Sequence, residues 1–411
     1  MSSASTKQPK TRTGTSKKAF ALVGPALATG IAYIDPGNVA TNLTAGSRFG
    51  YALIWVIVFA NLGAWLVQYL AAKLAIASQK SLAALLGESI KKRWLRLLFW
   101  LQAEAMILAT ELAEIVGGAI ALHLLFGINP ILGALIVGVV AFLVLNLARN
   151  QKVGPFIAAV VGLMLVTIVG FIASLFTSQI DVVALSLGLT PQIADKDQLY
   201  LALGILGATI MPHAIYVHTA LAAEQFAKAT PHEKPKLLVW TRIDVTIALA
   251  VAGLANVGIL LVGATTVAGD VPNVTIETAV GHISEFHGSV FGTMFAIGLL
   301  ASSLASAAIG GYAGASVMSG LTRLRVGAQT RRLISIVPSV LILVLFTDST
   351  SVLVVSQIFL ALGLPLALAP LIWFTTSKKV MGRLANRPVT TALAIGLFVA
   401  LVGLNIASFI P

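Results

Sequence analysis

The sequence contains no cysteine, so it has neither disulfides nor thiolate metal ligands, and any metal site must use other atoms. Charge is scarce too: 10% of the 411 residues are charged, 15 acidic against 27 basic. So little charge beside so much apolar surface excludes an ordinary soluble domain. Also missing is a short apolar segment followed by a small-residue cleavage site. Residues 1–18, with Lys7, Lys10, Arg12, Lys17 and Lys18, therefore read as a cytoplasmic basic tail.

What remains is apolar: 58% of residues are hydrophobic and the mean hydropathy is +0.95. A bilayer core about 30 Å thick takes about 20 apolar residues per helix. About eleven stretches meet that need, over 20–46, 52–77, 97–125, 128–147, 153–177, 199–226, 237–266, 288–320, 333–347, 351–375 and 389–410. The fold class expected is an all-α integral membrane protein.

The formal net charge of +12 does not point to nucleic acid, because the basic residues fall at alternate loops. Lys91, Lys92, Arg93 and Arg96, then Arg149 and Lys152, Lys234 and Lys236, Arg323 and Arg325, and Lys378, Lys379, Arg383 and Arg387 all fall on one side. By the positive-inside rule that side is the cytoplasm. Arg48 and Lys196 are the outer exceptions, among acidic Asp181, Asp195, Asp197, Asp270, Glu277, Glu285 and Asp348. The expectation is a multi-pass protein of the cell inner (plasma) membrane, N-terminus cytoplasmic and C-terminus extracytoplasmic.

Two spans carry helix-breaking sequence at their centres: Asp35-Pro36-Gly37-Asn38 in the first and Ala208-Thr209-Ile210-Met211-Pro212-His213 in the sixth. Proline removes a helical donor and clashes with the preceding turn, while glycine adds backbone freedom. Carbonyls freed at membrane depth are tolerated where they line a cavity or bind a ligand, so the two breaks are expected to face one another. Five spans separate them, so they cross in opposite directions. That is the LeuT-type plan, with inverted repeats over 19–177 (spans one to five) and 178–377 (spans six to ten), then a cytoplasmic loop and span eleven over 378–411.

A carboxylate at the bilayer centre costs several kcal/mol unless paired or hydrated, so Asp35 needs a partner or a function. Asp35 and Asn38 offer two hard oxygens, the Ala208 carbonyl a third, and Met211 a thioether. One thioether shifts an oxygen site from Mg²⁺ and Ca²⁺ toward softer first-row ions such as Mn²⁺ and Fe²⁺. Most buried methionines only fill gaps, but the place of Met211 beside Pro212 directs it toward the cavity. Span three carries Glu104, Glu111 and Glu114 roughly along one stripe, with Arg331 and Arg332 at the start of span nine as available partners. Glu104 reads equally as a structural helix contact, and His218 as a gate or as a bond between helices. His123, His232, His282 and His287 are taken as solvated.

These residues resemble the Nramp divalent-metal transporters, of the bacterial MntH type. The resemblance covers nearly the whole chain. It is carried by Asp35-Pro36-Gly37-Asn38, by Met211-Pro212-His213 with Tyr216 and His218, by Thr241-Arg242-Ile243-Asp244, and by Gly320-Leu321-Thr322-Arg323-Leu324-Arg325 leading to Arg331-Arg332. It implies that Asp35, Asn38, Met211 and the Ala208 carbonyl bind the metal, with Gln357 on span ten approaching in one conformation. It also implies exclusion of Mg²⁺ and Ca²⁺ largely through that methionine. Proton transfer is assigned by the resemblance to His213, Glu114 and Asp35, with Arg331 and Arg332 on the inner part of the route. Glu111 departs from the family, which usually has aspartate there.

The function expected is a proton-coupled importer, a symporter of Mn²⁺ or Fe²⁺ working by alternating access. The metal is cargo, the proton a co-substrate, and no cofactor is implied. The partners are metal ions, protons and the lipid bilayer, with the oligomeric state open. A LeuT-type carrier of an organic cation or amino acid is the alternative, and an acidic residue in the first break repels a substrate carboxylate. A membrane metalloenzyme fits poorly, since His213 and His218 are five apart and no His-Glu-x-x-His motif occurs.

Overall fold

The computed structural model describes residues 31–149, 180–266, 274–322, 328–346 and 348–410, and within these the fold is helical throughout. The tail, the start of span one and the whole of span five lie outside the described residues. Among the described residues seven segments are long and apolar enough to cross a membrane: Ile54–Ser78, Arg93–Phe126, Lys196–Gln225, Lys234–Thr265, Ser289–Thr322, Ser349–Thr376 and Pro388–Phe409. They match expected spans two, three, six, seven, eight, ten and eleven. Two shorter apolar helices, Pro130–Leu143 and Ile336–Leu345, fall on spans four and nine.

In chain order the first helices are α1 (Pro36–Phe49), α2 (Ile54–Ser78), α3 (Leu82–Ser89), α4 (Arg93–Phe126), α5 (Pro130–Arg149) and α6 (Val182–Leu187). The sixth span is split into α7 (Lys196–Ile210) and α8 (Pro212–Gln225), followed by α9 (Lys234–Thr266) and α10 (Ile276–His287). The remainder are α11 (Ser289–Thr322), α12 (Ala328–Leu345), α13 (Ser349–Thr376), α14 (Lys378–Met381) and α15 (Pro388–Phe409).

The split span is the most enclosed. Its apolar window is 94% buried, against 17% for the last helix, α15, which lies at the rim. Around it α7 packs on α13, α1 and α2, while α9 lies along α1 and α11 along α4. Such close packing needs small residues, because lipid tails supply no hydrophobic drive between helices. At Gly207 an added Cβ would fall 2.0 Å from the Gln357 carbonyl oxygen, a backbone atom that cannot swing aside. Gly207→Ala is expected to destabilise the fold by about 1–3 kcal/mol, visible as a lower melting temperature of the purified protein. An unchanged melt would contradict this contact.

Residues 276–287 depart from the solvated loop expected there. They form a helix capped by a Thr275–Thr278 capping box, with Ile276, Ala279, Val280 and Ile283 turned inward. His282 and His287 lie on it and are half-buried, whereas His123 and His232 are exposed as expected. The apolar spacing of three, four and seven was there to be read, and the shortness of the segment hid it. Arg48, one of the two cations expected on the outer side, is neutralised by Asp197 at 2.7 Å, a bridge from the end of α1 to the start of α7.

Candidate metal and proton site

Both breaks follow from proline and the hydrogen bonds it deletes. In span one a 3₁₀ turn, Ile31–Ile34, stops at Asp35, which N-caps α1 with Pro36 at its first position. Asp35 Oδ1 accepts the backbone N–H of Asn38 at 2.7 Å and its side-chain amide at 2.9 Å. In span six Pro212 has no N–H to give the carbonyl four residues back, so the Ala208 oxygen is released from the helix. Asn38 Nδ2 donates to that oxygen at 2.9 Å, which joins the two breaks.

Asn38 Nδ2 thus holds two oxygens, Asp35 Oδ1 and Ala208 O, that a cation would take in its place. Thr209 Oγ1 lies 3.4 Å from Asn38 Oδ1. Asp35, Asn38, Ala208, Met211 and Gln357 are all at 0% exposure. Asp35 Oδ2 and Gln357 Oε1 are enclosed with no hydrogen-bond partner among the described residues, an arrangement that favours a cationic guest. Gln357 stands over the first break, close enough that a Cβ on Gly37 would fall 2.1 Å from its Nε2.

Met211 forms the joint between α7 and α8 at φ 29° and ψ 105°. A side-chain-bearing residue at positive φ costs about 1–3 kcal/mol, and such strain gathers at functional sites. Among the described residues no three of His, Asp and Glu converge. The donors at the breaks are instead a carboxylate, two amides, a carbonyl and a thioether. Beside them a depression of ≈ 230 Å³ opens between α1, α7 and α13, lined by Thr44, Arg48, Asp197, Tyr200, Asp348 and Ile358, the last adjoining Gln357.

His213, the second residue of α8, meets α4 through Thr110, whose hydroxyl lies 3.1 Å from His213 Nδ1. Glu114 follows Thr110 by one turn, and both Glu111 and Glu114 are buried. Both face α11, since a Cβ on Gly310 would come within 3.2 Å of Glu111 Cγ and 3.3 Å of Glu114 Oε2. Glu104 is half-buried, nearer the start of α4. Arg331 and Arg332 lie in the first two turns of α12, which packs on α4; their side chains lie outside the described set. His218 bonds across to α2, its Nδ1 2.7 Å from Gln68 Oε1.

Three partners escaped the sequence reading. Thr110 had a legible signal, since it sits on the glutamate stripe directly before Glu111. Gln68 and Asn256 had none. Gln68 is 150 residues from His218, and Asn256 on α9 donates to the Tyr33 carbonyl at 3.3 Å and accepts from Asn42 at 3.1 Å.

A family model described as Natural resistance-associated macrophage protein-like (Nramp) matches residues 26–411. The chain is 42% identical over 390 residues to the divalent metal cation transporter MntH of Mycobacterium leprae, covering 94% of this chain and 91% of that protein. Its fold is similar to that of a manganese transporter of Eremococcus coleocola solved with an aromatic bis-isothiourea compound. That match has a TM-score of 0.83 and 29% identity, and covers 98% of this chain and 88% of the other. MhsT, solved with L-phenylalanine, shares the LeuT-type fold at a TM-score of 0.56 and 14% identity, over 94% of this chain and 97% of that one.

Proposed function

The chain belongs to the Nramp family, and from that premise we propose that it imports divalent transition metals, Mn²⁺ or Fe²⁺, coupled to protons. The observation that carries this reading is the meeting of the two breaks, where one amide of Asn38 spans the Asp35 carboxylate and the Ala208 carbonyl. Met211 adds the soft donor, and Gln357 the ligand from the tenth span. One carboxylate leaves half of the charge of a divalent ion uncompensated, so waters and neutral oxygens complete the shell, as suits a cargo that must be released.

Protons leave by span three. His213 links the metal site to α4 through Thr110, and Glu114, Glu111 and Glu104 continue along that helix toward Arg331 and Arg332 on α12. The inverted repeats over 19–177 and 178–377 build a bundle that rocks against a scaffold around the midplane site, and His218 with Gln68 belongs to the inner gate. The chain lies in the plasma membrane with its N-terminus inside. An inside-negative potential contributes about 2.3 kcal/mol per charge per 100 mV, so symport of cations runs inward. A substrate bearing a carboxylate is disfavoured beside Asp35.

Proteoliposomes holding the purified chain test this directly. Mn²⁺ uptake is expected to rise with an inward proton gradient and to persist in a large excess of Ca²⁺ and Mg²⁺. No Mn²⁺ uptake by folded protein would overturn the metal reading, and gradient-independent uptake would remove the proton coupling alone.

A further inference from the structure

Asp35 takes the N–H of Asn38 with its own side chain. In an uninterrupted helix that N–H belongs to the carbonyl of Ile34. The Ile34 carbonyl, in the peptide that bears the Asp35 nitrogen, thereby loses its helical acceptor role in an enclosed place. An unmade backbone hydrogen bond is costly there. Ser302 on α11, 3% exposed, supplies the replacement by donating its hydroxyl to that oxygen. The next residue, Ser303, is fully buried and donates to the backbone carbonyl of Glu114 on α4. The first break and α4 touch at the same junction, for a Cβ on Gly117 would fall 2.1 Å from Pro36 Cβ.

We propose that Ser302 and Ser303 are positioning residues that hold the Asp35 break and the Glu114 turn at a fixed separation through consecutive hydroxyls of one helix. Both hydroxyls are spent on backbone carbonyls, so they act through Asp35 and Glu114 and not on the cargo. Ser302 sets the direction of the Asp35 carboxylate by anchoring the peptide before it. Ser303 ties that anchor to the helix that carries the glutamates. The inference rests on Asp35 being the metal carboxylate and Glu114 lying on the proton route.

The test is calorimetric titration of Mn²⁺ into the full-length chain in lipid nanodiscs, with a thermal melt of each variant alongside. Ser302→Ala is expected to weaken Mn²⁺ binding about tenfold, the effect of one lost hydrogen bond to an enclosed carbonyl. Ser302→Thr keeps the hydroxyl and is expected to bind within about twofold of the parent. Should Ser302→Ala not fold, Ser302→Cys replaces it, being of similar shape with a weaker donor and the same expected direction. Ser303→Ala is expected to bind Mn²⁺ normally in nanodiscs yet, reconstituted in proteoliposomes, to lose the stimulation of uptake by an inward proton gradient. Parent-like affinity in folded Ser302→Ala, or a Thr variant as weak as the Ala one, overturns the role of Ser302, and unchanged gradient stimulation overturns that of Ser303. A parent chain that binds no Mn²⁺ overturns the functional reading itself, so the two failures are distinguishable.

Discussion

Asp35→Ala is expected to reduce Mn²⁺ uptake to that of empty liposomes. Asp35 is the one carboxylate at the meeting of the two breaks, and its Oδ2 is enclosed without a partner among the described residues. Alanine removes the charge that draws a cation to the site, but it also removes the N-cap of α1, worth about 1 kcal/mol. Asp35→Asn separates these effects, since asparagine caps a helix as well as aspartate does. The Asn variant is expected to melt near the parent temperature and still fail to carry Mn²⁺. Substantial uptake by either variant would remove Asp35 from the site.

Met211→Ala is expected to act on selectivity. Mn²⁺ uptake continues on the oxygen donors, while Ca²⁺ and Mg²⁺, which favour an all-oxygen shell, become competitors. A gain in their competition of about tenfold corresponds to about 1.4 kcal/mol of lost discrimination. Alanine at φ 29° bears the same backbone strain as methionine, so the comparison reads the thioether and not the joint. Uptake inhibited by Ca²⁺ no more than in the parent would mean that Met211 only fills space.

The parts of the site that were legible in the sequence are those whose hydrogen bonds are local. Asp35 and Asn38 are three apart, and an aspartate followed by proline at a helix start is a cap whatever surrounds it. Pro212 releases the Ala208 carbonyl by lacking an N–H, a deletion visible in the letters alone. Gln357 was assigned only by family resemblance, because nothing local sets a glutamine in mid-helix toward Gly37. Thr110 was overlooked because threonine is unremarked in a membrane helix, where its hydroxyl also satisfies a carbonyl one turn back, here that of Met106.

By itself, then, the sequence determined that this chain is a helical membrane protein, where its first and sixth spans break, and which oxygens and sulfur the breaks offer. Those properties depend on apolar length and on donors removed within a few residues. Only the tertiary structure decided that Asn38 reaches Ala208 across 170 positions, that His213 meets Thr110, and that Ser302 donates to the Ile34 carbonyl. Such pairings depend on the rotation and depth at which each helix settles against its neighbours. In lipid that is set by close packing of small residues over whole surfaces, to which no single stretch of sequence holds the key.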